Sequence, residues 1–214
     1  MVVAIDGPAG VGKSTIAKRI AESLDYFYLN SGNFYRGVTY KIIEQNKSDR
    51  GQNELIKTAK NCEFTIVDSR LHINGEDVEE HLHTDKIDAK VAIVSSIPEI
   101  RTHINNEIQK IAQKRDIVAE GRDMATVVFP DAEYKIFLDA SIEERARRRF
   151  KQGTSEMSMD SIRKSIAERD KIDRNKAVGN LKIAKDAIYL DTSDLTIDEV
   201  CEKVVRKIRN IETN

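Results

Sequence analysis

Near the start of the chain, Val2-Val3-Ala4-Ile5 leads into Gly7-Pro8-Ala9-Gly10-Val11-Gly12-Lys13-Ser14, and apolar residues then recur at Ile16, Ala17, Ile20, Ala21 and Leu24. A β-branched run, a glycine-rich stretch and an apolar period near 3.6 predict a strand, a tight loop and a helix, in that order. The loop fits the pattern G-x-x-x-x-G-K-[ST]. Its glycines let backbone N–H groups turn onto phosphate oxygens, and the helix N-terminus adds its partial positive charge. Gly7, Pro8, Ala9, Gly10, Val11, Gly12, Lys13, Ser14 and Thr15 are therefore expected to bind a nucleotide's phosphates. Lys13 is expected against the β- and γ-phosphates, and the Ser14 hydroxyl is expected on Mg²⁺.

Working outward, further β-type runs occur at Phe27-Tyr28-Leu29, Ile117-Val118-Ala119, Lys135-Ile136-Phe137-Leu138 and Ala187-Ile188-Tyr189-Leu190, separated mainly by helical patterns. That alternation predicts an α/β fold with a five-stranded parallel sheet flanked by helices, of the P-loop NTPase type. Residues 33–101 break the rhythm. Glu63 to Val67 and Arg70 to Ile73 alternate like half-buried strands, and Asn74-Gly75 is a strong hairpin turn, so an insertion with its own small sheet is expected. Another polar stretch, Lys151 to Ser158, contains Gly153 and separates an arginine-rich helix from one beginning near Met159. It reads as a mobile loop.

A chain of 214 residues can build one sizeable core, and a single domain over 1–214 is expected. Hydrophobic residues at 40% are enough to fold despite 33% charged residues. No apolar run approaches the roughly 20 residues needed to cross a bilayer, and no charged-then-apolar signal segment opens the chain. A cytoplasmic protein that does not engage membranes is the expectation. Cys62 and Cys201 are too far apart for a CxxC site and read as idle thiols. A formal net charge of −1 gives no overall pull on nucleic acid, so anion binding must come from locally gathered Lys and Arg.

Two other kinds of nucleotide-binding protein compete for this loop. Asn46-Lys47-Ser48-Asp49 matches the guanine-reading N-K-x-D by letters, but it lies early, in a polar stretch rather than after a late strand, and no D-x-x-G switch accompanies it. Arg145-Ala146-Arg147-Arg148-Arg149 is the best sign of a nucleic-acid motor. Arg145, Arg148 and Arg149 fall on one helix side at i, i+3 and i+4 while Arg147 points elsewhere, so the set can converge on a compact polyanion such as a transferring phosphoryl group. Interleaved aromatics and other basic surface are lacking, and no nucleic-acid partner is expected.

The phosphate loop is joined by Leu29-Asn30-Ser31-Gly32-Asn33-Phe34-Tyr35-Arg36, by Gly121-Arg122-Asp123-Met124 through Phe129-Pro130-Asp131, and by Glu168-Arg169-Asp170 through Asp173-Arg174-Asn175. This combination resembles the bacterial cytidylate kinases almost from end to end. The resemblance implies a phosphotransferase that moves the γ-phosphate of ATP to CMP or dCMP with Mg²⁺, built as a parallel-sheet core with an NMP-binding insertion (33–101) and a lid (150–168) that close to exclude water. It implies that Ser31, Arg36 and Arg122 hold the acceptor's phosphate, that Arg101 and Asp123 read the base, and that Arg169 and Asp173 recognise the sugar hydroxyls, with Lys176 beside them on the CMP. Lys13, Arg122, Arg145 and Arg149 are the implied catalytic cations, and a monomer is expected. No general base is needed, because the acceptor is already a phosphate anion.

Some positions depart from the family pattern. Ala92 stands where a serine usually touches cytosine, with Ser95 and Ser96 nearby. Lys176 replaces an arginine, keeping charge but losing the bidentate fork. Glu120 replaces an aspartate, which changes the carboxylate's reach, and Ala125 replaces a glycine. His81 and His83 lack further ligands and read as exposed, while Phe34 and Tyr35 read as packing residues.

Overall fold

The computed structural model describes residues 1–151 and 157–212. Residues 152–156 of the expected mobile loop lie outside the described residues. In chain order the elements are β1 (Val2–Asp6), α1 (Lys13–Leu24), β2 (Phe27–Asn30), α2 (Ser31–Glu44), α3 (Gln52–Lys60), β3 (Phe64–Val67), β4 (Arg70–Ile73), β5 (Glu76–Asp77), α4 (Asp85–Val94), α5 (Pro98–Ala112), β6 (Ile117–Gly121), β7 (Tyr134–Asp139), α6 (Ile142–Lys151), α7 (Met159–Asn175), β8 (Ile188–Asp191) and α8 (Ile197–Glu212). A short π-helical turn, Met124–Val128, follows β6.

The chain divides into two compact units, Met1–Leu29 with Arg115–Asn214, and Asn30–Lys114. The first contains the five-stranded parallel sheet, in the order β2-β6-β1-β7-β8. Central β1 pairs with β6 from Val2↔Ile117 to Asp6↔Gly121, and with β7 from Val3↔Tyr134 to Asp6↔Phe137. The loops after β1 and β6 therefore leave the sheet side by side at its carboxyl edge, where open α/β sheets place their ligands. Beside the sheet, the apolar stripe of α1 (Ile16, Ala17, Ile20, Ala21) packs with Val200, Val204 and Ile208 of α8 and with Val3, Ile5, Val118, Ile136 and Leu138 in one core. The i, i+4, i+8 spacing of the α8 residues puts all three on one face. Ala146, Ile162 and Ile166 join α6 to α7 in a smaller cluster.

In the second unit β3, β4 and β5 form an antiparallel sheet. Asn74 and Gly75 turn β4 into β5 with both residues at positive φ (53° and 82°), as the letters Asn-Gly predict. The turn between β3 and β4 uses Asp68 and Ser69, also at positive φ (50° and 63°). A β-hairpin can impose that geometry on Asp-Ser, but the pair carries no strong turn signal of its own. Phe34 is fully buried on α2 and packs against Phe64, with ring centroids 5.1 Å apart. Among the described residues no helix is long and apolar enough to cross a membrane.

Candidate active site

Local sterics shape the phosphate loop. Gly12, the N-cap of α1, has φ 95°, a left-handed conformation that disfavours a side chain. A Cβ on Gly7 would stand 2.3 Å from the Leu138 carbonyl oxygen, so only glycine lets the loop leave β1 so close to β7. Lys13 opens α1 with its side chain folded back, donating from Nζ to the Pro8 carbonyl at 2.8 Å. Ser14 and Thr15 are exposed on the same first turn.

Two arginines of α6 grip the outside of this loop. Arg145 donates from Nη1 to the Ala9 carbonyl at 3.1 Å and from Nε to the Ala140 carbonyl at 2.9 Å. Its guanidinium also pairs fork to fork with Asp170 of α7, at 3.0 and 2.7 Å. Arg148 donates to the Val11 carbonyl at 3.1 Å and to the Thr192 carbonyl and hydroxyl at 2.5 and 3.1 Å. Carbonyls held outward leave the amide N–H groups of the loop available for an anion. Arg145, one of the implied catalytic cations, is thus engaged inside the fold. It is 3% exposed, because a guanidinium inside the fold needs a bidentate carboxylate and carbonyl acceptors, and Asp170 and the loop supply them. Arg147 pairs with Glu144 on the exposed side, while Arg149 makes no hydrogen bond or ion pair among the described residues.

Beyond β6 lies a second set of charges. Arg122 donates from Nε to Asp173 at 2.8 Å, and Lys176 donates to the other oxygen of the same carboxylate at 2.8 Å. Burial alone would raise the Asp173 pKa, but the two cations hold it at about 2. Asp173 thus pairs with Arg122 across elements and with Lys176 at the end of its own helix, while Arg169, four residues before it, is exposed. Asp123 and Glu120 are buried, and Glu120 accepts a hydrogen bond from the Tyr28 hydroxyl at 3.1 Å. Burial draws the Lys13 ammonium down to about 7, with the Arg122 charge acting in the same direction and Glu120 and Asp6 opposing it. Lys13, Arg122, Arg169, Glu120 and Asp6 thus share one electrostatic neighbourhood.

Asp6 belongs to none of the motifs read from the sequence. It is 1% exposed at the end of β1, and its oxygens accept the N–H groups of Met124 and Ala125, both at 2.8 Å. Burial pushes its carboxyl up to about 6 against the lowering effect of those two bonds, and the Asp123 charge adds to the rise. The available signal was an acid closing an otherwise apolar strand just before the glycine loop. Asp170 and Tyr28 gave no comparable signal, because their partners are remote in sequence.

In the second unit, Ser31 is the buried first residue of α2, preceded by Asn30, whose side chain accepts the Gly32 N–H at 2.9 Å as the N-cap. Arg36, on the same helix, donates to the Leu82 carbonyl at 2.8 Å and pairs with Asp88 of α4 at 2.6 Å. Arg101 of α5 is 4% exposed, donates to the Ser95 carbonyl at 3.0 Å and lies over the Tyr35 ring at 5.2 Å. Ala92 is exposed, and its carbonyl accepts the Ser95 hydroxyl at 3.1 Å. His81 and His83 are exposed, with His81 stacked on Tyr40 at 4.6 Å.

Known proteins match this chain along nearly its whole length. The family model for cytidylate kinase matches residues 3–210. A cytidylate kinase of Caldanaerobacter subterraneus subsp. tengcongensis is 40% identical over 97% of this chain and 94% of its own. One from Alkaliphilus oremlandii is 39% identical over 98% of each. The crystal structure of an uncharacterised protein from Eubacterium ventriosum, 16% identical, superposes with a TM-score of 0.54 over 98% of each chain and shares the fold. With the phosphate loop, the Gly121-Arg122-Asp123 turn and the α7 charges all in place, the chain belongs to the cytidylate kinase family.

Proposed function

We propose that the protein transfers the γ-phosphoryl group of ATP to CMP or dCMP, giving ADP and CDP or dCDP. What carries the reading is the joining of a phosphate loop, its Ala9 and Val11 carbonyls held by α6 and Lys13 at its end, to the Arg122-Asp123 turn on the neighbouring strand, in a chain of this family. An oxygen of the acceptor's phosphate forms the new bond to the γ-phosphorus as the bond to the β-phosphate's bridging oxygen breaks. The electron pair leaves with ADP. No protein base is required, and the work is positioning and charge compensation.

Lys13 and the loop amides would hold the β- and γ-phosphates, and Arg149 would meet charge on the moving group. Arg145, by gripping Ala9, would keep the loop in shape. Ser31, Arg36 and Arg122 are assigned to the acceptor's phosphate, Arg101 and Asp123 to its base, and Arg169, Asp173 and Lys176 to its sugar side. An ionised Asp123 only accepts and Arg101 only donates, which suits cytosine's amino donor and N3 acceptor and mismatches uracil.

The donor set suits Mg²⁺. Ser14 offers an exposed hydroxyl, and among the described residues no group of three or more His, Cys, Asp or Glu forms a cage. That fits an ion taking most of its oxygens from phosphates and water. When bound with ATP, such an ion offsets phosphate charge. The test is ADP production from ATP with CMP, dCMP, UMP, AMP, GMP or shikimate as acceptor. CMP and dCMP should far exceed the others, and an enzyme inactive on both would overturn the reading.

A further inference from the structure

Asp123 occupies the N-cap position of the π-helical turn Met124–Val128, yet its side chain makes no cap hydrogen bond there. An aspartate at such a position ordinarily accepts an N–H of its own first turn. Here that task falls to Asp6, which reaches over from β1 and accepts the first two N–H groups of the turn, at 2.8 Å each. The in-register pair Asp6↔Gly121 puts Asp6 level with the residue just before Arg122-Asp123. A buried carboxylate is costly to place, and an apolar residue would fill the end of β1 more cheaply. What Asp6 adds is a rigid, bidentate hold on the backbone that follows Asp123.

We propose that Asp6 is a positioning residue for base selection: by capping the turn after β6 it fixes the backbone of Arg122 and Asp123, and with it the place from which Asp123 meets the acceptor's base. This rests on the cytidylate kinase reading above. Asp6 touches neither nucleotide in this scheme, and its effect on the base is carried by the turn.

The test compares kcat/KM for CMP with that for UMP, together with ATP affinity, in wild type, Asp6→Asn and Asp6→Glu. Asp6→Asn presents an amide N–H to one of the two backbone donors, and Asp6→Glu displaces both oxygens by a methylene. Either should lower the CMP preference about tenfold while ATP affinity stays within about threefold, the loss expected from one buried hydrogen bond. In an Asp123→Asn background, Asp6→Asn should change the preference by less than about twofold, because the two residues act as one unit. An unchanged preference in the folded variants, an undiminished effect in the Asp123→Asn background, or an ATP affinity that falls as far as CMP use would each overturn the proposal. So would a wild type that uses CMP and UMP equally. In the unaltered protein the Met124 and Ala125 amides should exchange slowly with solvent, and fast exchange of either overturns the proposal without any variant. A wild type inactive on CMP and dCMP refutes the function itself. Activity on CMP with an unchanged preference in the variants refutes only the role of Asp6.

Discussion

The loop after β1 and the turn after β6 leave the sheet at the same edge, yet they are made in different ways. The first is a backbone device, with glycine conformations, amide N–H groups and one lysine, all within a few residues. The second is a side-chain device, in which Arg122 is oriented by Asp173 and the turn is capped by Asp6. A backbone device tolerates few substitutions but needs only its own neighbourhood to be recognised. A side-chain device can be altered piece by piece, and each piece should change one measurable property.

The largest break in that contrast should come from Lys13→Ala. Transfer should fall by several powers of ten in single-turnover assays, since an ammonium aimed at developing charge is lost. The thermal midpoint should not fall, because Lys13 is buried at an electrostatic cost. Arg122→Met should be milder and selective. KM for CMP should rise about ten- to a hundredfold, the worth of one charge-assisted contact, with ATP affinity nearly unchanged. Equal losses for both nucleotides would merge the two devices into one.

Asp173 sharpens the comparison through acid stability. Its pKa in the folded protein, about 2, lies below its unfolded value of 3.8, so its ion pairs stabilise the fold above roughly pH 4 and lose that effect as pH falls toward 2. The contribution is about 2 kcal/mol at neutral pH. The difference between the urea midpoints of wild type and Asp173→Asn should therefore be full at pH 5 and shrink steadily as pH falls toward 2. The smallest signal belongs to Lys13. With its pKa drawn down to about 7 from 10.5, the nucleotide-free protein holds this group largely neutral at pH 8. A bound triphosphate restores the charge, so ATP binding at pH 8 should take up close to one proton, about what a group one pH unit above its pKa has to regain. Calorimetry in buffers of different ionisation enthalpy measures that uptake, and Lys13→Ala should abolish it.

The same contrast explains what could be read from the letters. The β1–loop–α1 unit was legible because each of its requirements is local: apolar strand, glycines, helical period. The Asn74-Gly75 turn was legible for the same reason. The Asp68-Ser69 turn was not, since strand pairing rather than the dipeptide enforces its positive φ. The partner of Arg145 was not legible, because helical spacing says which side a residue faces but not what waits there, and Asp170 lies on a different helix. Asp6, Tyr28 and Asp88 each act on residues that only the folded chain brings near.

The grip of α6 on the phosphate loop bears on the order in which the chain becomes competent. Ala9 and Val11 are held by arginines 136 and 137 residues further along the chain, and those arginines depend in turn on Asp170 and Thr192. Contacts this distant in sequence form late, after the entropy of closing a long loop has been overcome. A ribosome displaying only the first half of the protein thus exposes a complete phosphate-binding motif by its letters and an unfinished one by its geometry. Nucleotide should add to stability only near the end of synthesis, when the C-terminal helices arrive to set the loop.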